Sequence, residues 1–169
     1  MIALYTAASL DGYIARKDGS IDWLCGGNDS VEDYGRFFAT VDCLVMGKNT
    51  YDAVLGFGEW PYAGKPCYVM THHPPEDNPH GVHFVSAGVA AFLKTAQENA
   101  HAIWLVGGAN LTGEFLGHGL IDEFNLFIMP VLLGDGIPLF PRNSIERSLV
   151  LKAATRMERD CIKLTYVNK

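Results

Sequence analysis

The chain has 169 residues, of which 49% are hydrophobic and 19% charged, and its formal net charge is −6. This length and composition predict a single globular domain over residues 1–169. The acidic balance argues against nucleic acid as the main partner, because neutralising phosphates requires a basic surface.

The first half of the chain alternates between apolar runs and segments with helical periodicity. Residues 2–9 are apolar at nearly every position, which predicts a strand covered on both faces. Residues 12–29 predict a long loop with apolar anchors, which favours an ordered lid. Ser30 resembles an N-cap followed by acids, and its helix should run to about Thr40. The elements expected next are a strand over 41–46, a helix over 48–55, a strand over 66–71, a short strand over 82–85 and a helix from 86 or 87 to about 100.

The second half contains the most informative stretch, a strand followed by two glycines and a helix. Residues 103–106 predict a buried strand that stops at Gly107-Gly108, and a short amphipathic helix follows. The elements expected after it are a strand over 121–133, a turn-rich loop over 134–141 and an antiparallel hairpin of 148–155 with 161–167. The long strand must end, bulge or lie at an edge at Pro130. Strands that alternate with helices predict an α/β sandwich with a mainly parallel central sheet, to which the hairpin adds antiparallel edge strands.

Four polar or glycine-rich segments follow predicted strands. They are Ser9-Leu-Asp-Gly12, Met46-Gly-Lys-Asn-Thr50, Thr71-His-His73 and Val106-Gly-Gly-Ala-Asn110. Ligands bind outside the carboxyl ends of parallel strands, and two of these segments begin helices, whose N-termini attract anions. The pattern therefore favours an extended ligand with two phosphates, with Lys48 and the His72/His73 pair adding positive charge. The glycine pair alone is weaker, since it matches neither GxGxxG nor the phosphate-loop motif and is more often a tight turn.

Six motifs occur in order between the first strand and Phe140. They are Ser9-Leu-Asp-Gly-Tyr-Ile-Ala15, Asp22-Trp23, Met46-Gly-Lys-Asn-Thr-Tyr51, Val106-Gly-Gly-Ala-Asn-Leu111, Ile121-Asp-Glu123 and Pro130-Val-Leu-Leu-Gly-Asp-Gly-Ile-Pro-Leu-Phe140. Together they resemble dihydrofolate reductases, and more closely the reductase domain of the bifunctional riboflavin-biosynthesis deaminase-reductase and its stand-alone relatives. The resemblance implies a three-layer sandwich around a roughly eight-stranded sheet, NADPH as the cofactor, and hydride transfer to a planar heterocycle or a ribosyl carbon.

The resemblance assigns most of these segments to the cofactor. The residues it implies are Ala8 and Ile14 at the nicotinamide, Gly47, Lys48, Asn49 and Thr50 at the phosphates, Thr71 and His72 beside the adenosine ribose and its 2′-phosphate, and Val106, Gly107, Gly108, Ala109, Asn110 and Leu111 around the pyrophosphate. Lys48 stands where the family commonly has arginine. Lysine is a point charge without arginine's fork, so this change weakens the phosphate site without removing it.

Fewer residues are implied on the substrate side, and the candidates for substrate binding are Trp23, Phe37 and Trp60. Dihydrofolate reductases use a carboxylate on the first helix with an aromatic residue one turn later, and Asp33 with Phe37 shows this spacing. Asp33 has an alternative role in the first turn of its helix, where an acid stabilises the dipole. Asp11 could serve the substrate or turn the chain after the first strand. By resemblance, Trp23 and its loop would cover the nicotinamide, whereas Trp60 would edge the pocket or pack in the core.

Two departures from the family bear on the substrate. Tyr13 replaces a lysine that is common in the riboflavin reductases, and Arg16 and Arg36 are the only arginines before residue 142. Phosphoribosyl and glutamyl tails favour bidentate arginine partners. The sequence therefore disfavours both of the well-known substrates.

The leading hypothesis is an NADPH-dependent reductase of a small heterocyclic or pyrimidine-type substrate, with 5-amino-6-(5-phosphoribosylamino)uracil reduction as the closest named activity. Dihydrofolate reduction is the second hypothesis, and a non-catalytic nucleotide-binding protein on the same fold is the third. The relatives and the apolar terminal hairpin favour a homodimer. No metal site is expected, because the proline-rich spacing of the clustered histidines fits no helical or hairpin site.

The cellular location follows from the cysteines and the N-terminus. The four cysteines form no CxxC pair, which favours core thiols in a reducing cytoplasm. The apolar run over 2–9 is far too short to span a membrane, and it lacks the basic start of a signal peptide. We therefore expect a cytoplasmic protein without a membrane partner.

Overall fold

The computed structural model describes residues 1–24, 26–97, 100–141 and 145–169, which form ten strands and four helices. The strands are β1 (Ile2–Ser9), β2 (Tyr13–Ala15), β3 (Cys43–Gly47), β4 (Cys67–Met70), β5 (His83–Val85), β6 (Ile103–Gly107), β7 (Glu123–Met129), β8 (Ile137–Pro138), β9 (Leu149–Arg156) and β10 (Ile162–Asn168). The helices are α1 (Asn28–Thr40), α2 (Lys48–Leu55), α3 (Gly88–Gln97) and α4 (Ala109–Gly117). Cys25 of the predicted lid and residues 98–99 of the predicted long helix lie outside the described residues. Within those described ranges, no helix combines the length and the apolar character needed to cross a membrane.

Eight of these strands form one sheet in the order β5-β4-β3-β6-β1-β7-β10-β9. The six strands from β5 to β7 are parallel, while β10 runs antiparallel to β7 and β9 antiparallel to β10. The prediction of a mainly parallel, roughly eight-stranded sheet with a terminal antiparallel hairpin is confirmed. Because parallel strands end on the same side, the segments after β1, β3, β4 and β6 share one edge of the sheet.

Alternate residues of the central strands supply two cores, one on each face of the sheet. Leu4 packs on the face covered by α3 and α4, whereas Tyr5 packs on the face covered by α1 and α2. Phe115 of α4 is 0% exposed and Tyr51 of α2 is 1% exposed, so helices on both faces are firmly anchored. This arrangement is the predicted three-layer sandwich.

Helix α1 begins earlier than predicted, and its N-terminus is held by the far end of the chain. Its N-cap residue is Gly27, which makes no side-chain capping bond, so the prediction of Ser30 as the N-cap is wrong. The Asn28 N–H donates to the Glu158 carboxylate at 2.9 Å, and the Glu158 N–H donates to the Asp29 carboxylate at 2.7 Å. A Cβ on Gly27 would overlap Glu158. The capping group therefore comes from a residue 130 positions away, which no local signal reveals.

The predicted loop over 134–141 contains a short strand. β8 pairs antiparallel with β2 in a separate two-stranded sheet. The backbone before β8 lies close to β2, because a Cβ on Gly136 would overlap the carbonyl oxygen of Ala15. The preceding strand, β7, ends at Met129 directly before Pro130, as the proline predicted. The small sheet therefore fixes the turn after β1 against the segment after β7.

Candidate active site

Two strand-to-helix turns, β3–α2 and β6–α4, lie side by side at the carboxyl edge of the sheet. β3 and β6 are neighbouring strands, and Met46 is paired with Gly107. Gly47 is the N-cap residue of α2 and Gly108 that of α4, and neither helix start has a side-chain capping bond. Two helix N-termini that lack side-chain caps therefore open at one place, which favours an anion.

Glycine is required where these two turns meet. Gly107 and Gly108 have φ values of 117° and 89°, which strain any residue with a Cβ. A Cβ on Gly108 would lie 3.0 Å from the Thr50 hydroxyl oxygen, and one on Gly47 would lie 3.8 Å from the Gly107 carbonyl oxygen. The missing side chains thus let the turns approach each other and expose backbone N–H groups. We call residues 47–50 and 107–111 the glycine cradle, and their assignment to a pyrophosphate stays a prediction.

The other residues predicted at the phosphates, including Val106 beside the glycine cradle, differ in their exposure. Asn49 and Asn110 are exposed at the starts of their helices, and Ala109 is half-buried. Leu111 is buried in the core on the α3/α4 face, and Val106 packs against the core on the opposite face. The cradle therefore presents mainly backbone and small side chains.

The predicted phosphate and ribose side chains lie around the glycine cradle. Lys48 Nζ lies 2.5 and 2.7 Å from the two carboxylate oxygens of Asp52, so its charge is already paired along the helix. Thr71 follows β4, the neighbour of β3, and its hydroxyl accepts the His73 N–H at 3.1 Å. His72 beside it is exposed. Asp52 therefore competes with a phosphate for the Lys48 charge, and the role of Lys48 at the phosphates stays a prediction.

The predicted nicotinamide contacts lie on the α3/α4 face of the sheet. Ala8 is 1% exposed and belongs to that core, and Ile14 packs against it. Ala7 packs on the opposite face and lines the cavity described below. Ala7 is therefore a candidate that the sequence did not single out, and the alternation of side chains along β1 distinguishes the two alanines.

A cavity of about 310 Å³ lies between β1, β6, β7 and helix α1. We call it the aromatic cavity, and its lining is Tyr5, Thr6, Ala7, Leu24, Gly26, Ser30, Tyr34, Trp104, Phe127 and Met129. The volume is at the lower end of the roughly 300–1,000 Å³ of small-molecule sites, and apolar walls with a few polar groups are typical of them. Phe37 stacks on Tyr5 with ring centroids 4.2 Å apart, so it supports this wall from behind.

Asp33 is bound to residues of two strands beside this wall. Lys163 Nζ donates to both carboxylate oxygens at 2.8 Å, and the Tyr5 hydroxyl donates to one of them at 2.9 Å. The Asp33 side chain is 14% exposed and is not among the lining residues. Burial, and then the Asp33 charge, raise the pKa of Tyr5, so its hydroxyl stays a donor. Helix α1 starts at Asn28 with Asp29 as its first-turn acid, so the first-turn role for Asp33 is wrong.

The α1 residues that line the aromatic cavity are Ser30 and Tyr34. They are one helical turn apart, like Asp33 and Phe37, but they carry hydroxyls in place of a carboxylate. Burial raises the pKa of Tyr34, which keeps its hydroxyl protonated at neutral pH. The spacing of a carboxylate and an aromatic residue does not indicate this pair, although a polar i, i+4 pair on the apolar face of a helix could have indicated it.

The Asp11 carboxylate ties the end of β1 to the segment after β7. It accepts the Ser9 hydroxyl at 2.6 Å, the Leu133 N–H at 3.1 Å and the Gly134 N–H at 2.7 Å. These hydrogen bonds, led by that from Ser9, lower the pKa of Asp11. The arrangement supports the chain-turning role, and the substrate role of Asp11 stays a prediction.

Asp11 should make the stability of the fold depend on pH in the acid range. Because its pKa is lower in the folded state, the unfolded chain takes up a proton first as the pH falls. The contribution is complete above the ordinary aspartate pKa of about 3.9 and is lost as the pH falls through the lowered value. We expect the melting temperature of Asp11→Asn to fall less steeply with acid than that of the wild type. Equal slopes in thermal unfolding at a series of acid pH values would contradict this role.

Trp23 lies in the predicted lid and packs against the core on the α1/α2 face. Its indole N–H is buried and finds no acceptor in the part of the chain that the structure describes. The next residue, Leu24, lines the aromatic cavity, whereas Trp23 does not. The structure therefore brings the lid to the cavity, and a covering role for Trp23 stays a prediction.

The clustered histidines pack on aromatic rings. His80 stacks on Trp60 with centroids 4.4 Å apart, and His83 lies against Tyr68 at 5.1 Å. Trp60 also makes an edge contact with Tyr51 at 5.9 Å and does not line the aromatic cavity. Across the described ranges, no three His, Cys, Asp or Glu residues are grouped so that they could hold a metal ion.

The strand order and the three layers define an α/β domain of the dihydrofolate reductase-like fold. The chain belongs to the family of RibD C-terminal domains, which it matches over residues 1–163. This result confirms the family that the sequence motifs indicated.

Three known proteins illustrate the relationship. The uncharacterised protein YwjB of Bacillus subtilis (strain 168) is 41% identical over 167 residues, covering 97% of this chain and 95% of YwjB. The crystal structure titled "Putative riboflavin biosynthesis protein" from Shewanella sp. PV-4 is 31% identical with a TM-score of 0.87, covering 99% of this chain and 98% of that one. Dihydrofolate reductase from Enterococcus faecalis, complexed with NADP(H), is 17% identical with a TM-score of 0.74, covering 100% of this chain and 96% of that one. This last similarity shows the fold alone.

Proposed function

We propose that this protein is an NADPH-dependent reductase that transfers a hydride to a small heterocyclic substrate. The observation that carries the proposal is that the glycine cradle and the aromatic cavity lie on adjacent strands. The cradle follows β3 and β6, and the cavity is built on β6, β1 and β7. Membership of the family and the NADP(H) complex of the structurally similar dihydrofolate reductase support NADPH as the cofactor.

Each part of the site has its own task in this proposal. When bound, NADPH supplies the hydride. Backbone N–H groups of residues 47–50 and 107–111 bind its pyrophosphate, and Lys48 adds a positive charge. The rings of Tyr34 and Trp104 hold a flat substrate. The Tyr34 hydroxyl donates to the Pro61 carbonyl oxygen at 3.5 Å, and a substrate acceptor would replace this long hydrogen bond.

The proton that accompanies reduction comes, in this proposal, from water held at the aromatic cavity. Asp33 is engaged by Lys163 and Tyr5, and Asp11 is engaged by a neighbouring loop, so both carboxylates already have partners. Ser30 lines the cavity and brings its hydroxyl to the site. A hydroxyl and an ordered water can pass a proton to a reduced ring. The roles of Asp33 and Asp11 as direct donors stay predictions.

The closest named activity is the reduction of 5-amino-6-(5-phosphoribosylamino)uracil. The family and the similarity to the riboflavin-biosynthesis protein from Shewanella support it. Dihydrofolate reduction is the second candidate, supported by the shared fold. A protein that binds the nucleotide without turnover is the third, and it requires only the glycine cradle.

A titration with NADPH tests the proposal directly. We expect NADPH to quench tryptophan fluorescence with micromolar affinity, and its absorbance to fall when a suitable pyrimidine or pterin is added. No binding of NADPH at micromolar protein would contradict the reductase proposal. Binding without oxidation by any pterin or pyrimidine would favour the non-catalytic alternative.

We also propose that the chain forms a cytoplasmic homodimer through its terminal hairpin. β9 is the last strand of the sheet and is exposed along its whole length, and Val150, Leu151 and Ile162 are 40, 50 and 44% exposed. An exposed apolar edge strand is a ready partner for another copy.

Gel filtration should therefore give a dimer for the wild type and a monomer for Leu151→Lys. The introduced charge would have to be buried in the interface, whereas it is solvated in the monomer. Phe57→Lys is the matched control, because Phe57 is 57% exposed and follows helix α2, which packs on β3 and β4 at the other end of the sheet. A wild-type protein that elutes as a monomer would contradict the proposal.

A further inference from the structure

The aromatic cavity has no charged side chain in its lining, as far as the described residues form it. Four of its members are aromatic rings, those of Tyr5, Tyr34, Trp104 and Phe127. The side-chain polar groups among the lining residues are hydroxyls and the Trp104 indole, and the Trp104 N–H is already bonded to the Tyr5 carbonyl oxygen at 3.1 Å. A ligand in this cavity meets flat apolar surfaces and hydroxyls.

The cations closest to the cavity wall are already paired with carboxylates. Lys163 Nζ lies 5.6 Å from the ring centroid of Tyr5 and 5.5 Å from that of Phe127, both of which line the cavity. Both Asp33 carboxylate oxygens accept hydrogen bonds from this ammonium group at 2.8 Å. Arg36 on the same helix is 3.9 Å from Asp33 and 70% exposed. Among the side chains that the structure describes, Lys163 carries the one ammonium group close enough to interact with a ligand in the cavity. Asp33 neutralises this charge.

We infer that the aromatic cavity takes a flat, uncharged ring compound and excludes the same ring with a phosphate or carboxylate tail. The inference rests on the proposed reductase function and deepens it by naming the substrate class, which differs from the closest named activity in lacking the phosphate. Its second part is that Asp33 enforces this preference, because it holds Lys163 beside the cavity wall and cancels its charge. Asp33 is thus a positioning residue that acts on the substrate through Lys163.

Burial of an unpaired anion is the physical reason for this preference. A phosphate that enters an apolar cavity loses its hydration, and it regains that energy only from a cation or several N–H donors. Arginine pairs usually fulfil this role in sites for phosphate and carboxylate. Among the lining side chains, only hydroxyls and the already bonded Trp104 indole are available for it, so we expect the anionic form of a ligand to bind more weakly than the neutral form.

Two pairs of compounds test the preference on the wild-type protein. The first pair is 5-amino-6-(5-phosphoribosylamino)uracil and its dephosphorylated form, and the second is pterin and pterin-6-carboxylate. Each is titrated by calorimetry with and without NADPH, so the result does not depend on whether the cofactor binds. We expect the neutral member of at least one pair to bind at least about tenfold more tightly than its anionic partner, as for the loss of one charged hydrogen bond. Equal or tighter binding of the anionic members, or no binding of either neutral compound, would overturn the inference.

Asp33→Asn tests the second part. The amide removes the negative charge but keeps the shape and an acceptor for the Tyr5 hydroxyl, which frees the Lys163 charge to act on a ligand. We expect the variant to bind the phosphorylated uracil at least about tenfold more tightly than the wild type does, with little change for the dephosphorylated form. Asp33→Asn/Lys163→Met is the control and should lose this gain. An unchanged affinity of a folded Asp33→Asn for the phosphorylated uracil would overturn the role of Asp33. The preference for neutral ligands is tested separately by the wild-type titration. Failure of NADPH to bind would contradict the reductase proposal alone.

Discussion

Alanine in place of Gly108 should weaken NADPH binding by at least about tenfold while the protein remains folded. The φ of Gly108 is 89°, and a Cβ there would lie 3.0 Å from the Thr50 hydroxyl oxygen. The new methyl group would push apart the two turns whose backbone N–H groups bind the pyrophosphate in the proposed function. Strained φ values cost roughly 1–3 kcal/mol each, so part of the stability should be lost as well.

Gly88→Ala separates the effect of strain from the effect on the glycine cradle. Gly88 has a similar φ of 80° at the start of helix α3, but nothing lies within 4 Å of an added Cβ. Both variants should therefore lose a similar amount of stability, measured by urea denaturation, and only Gly108→Ala should lose NADPH affinity. Normal NADPH binding by Gly108→Ala would show that the pyrophosphate does not occupy the cradle. Equal losses of affinity in both variants would attribute the effect to strain.

The glycine cradle could be predicted because its signals are local. An apolar run that stops at Gly107-Gly108 and continues as an amphipathic helix specifies strand, turn and helix within fifteen residues or so. A similar unit at Gly47 repeats the pattern, and parallel strands bring such turns to one edge whatever the exact strand order. The same reasoning predicted the mainly parallel sheet and the antiparallel hairpin. What the residues could not specify alone was that β3 and β6 are neighbours.

The substrate half of the site depends on contacts between distant parts of the chain. Helix α1 starts two residues before Ser30 because Glu158, near the other end of the chain, binds its first turn. Successive helical residues point about 100° apart, so Tyr34 lines the cavity while Asp33 beside it turns to another partner. That partner, Lys163, is also 130 residues away. Spacing within the helix identified an acid and an aromatic residue one turn apart, but it could not show which of them faces the ligand.

Methionine in place of Lys163 should destabilise the fold by about 2–3 kcal/mol, somewhat less than the 3–5 kcal/mol typical of breaking a fully buried ion pair. The Lys163 and Asp33 side chains are 19% and 14% exposed, so the stranded carboxylate keeps some access to water. It also keeps the Tyr5 hydroxyl at 2.9 Å and the more distant Arg36. Urea denaturation measures the loss, and Lys94→Met, on the exposed side of helix α3, is the control for removing a lysine.

Adding Asp33→Asn to Lys163→Met should restore more than half of the lost stability, since a neutral amide is no longer an unpaired charge. The two single variants and the double variant form a cycle whose coupling energy isolates the ion pair. A loss below about 1 kcal/mol for Lys163→Met would mean that the pair behaves like an exposed salt bridge. The same cycle also separates the two roles of Asp33. If Asp33 acts only through Lys163, the double variant regains stability and turns over like the wild type. If Asp33 is a direct proton donor, the double variant is stable but inactive.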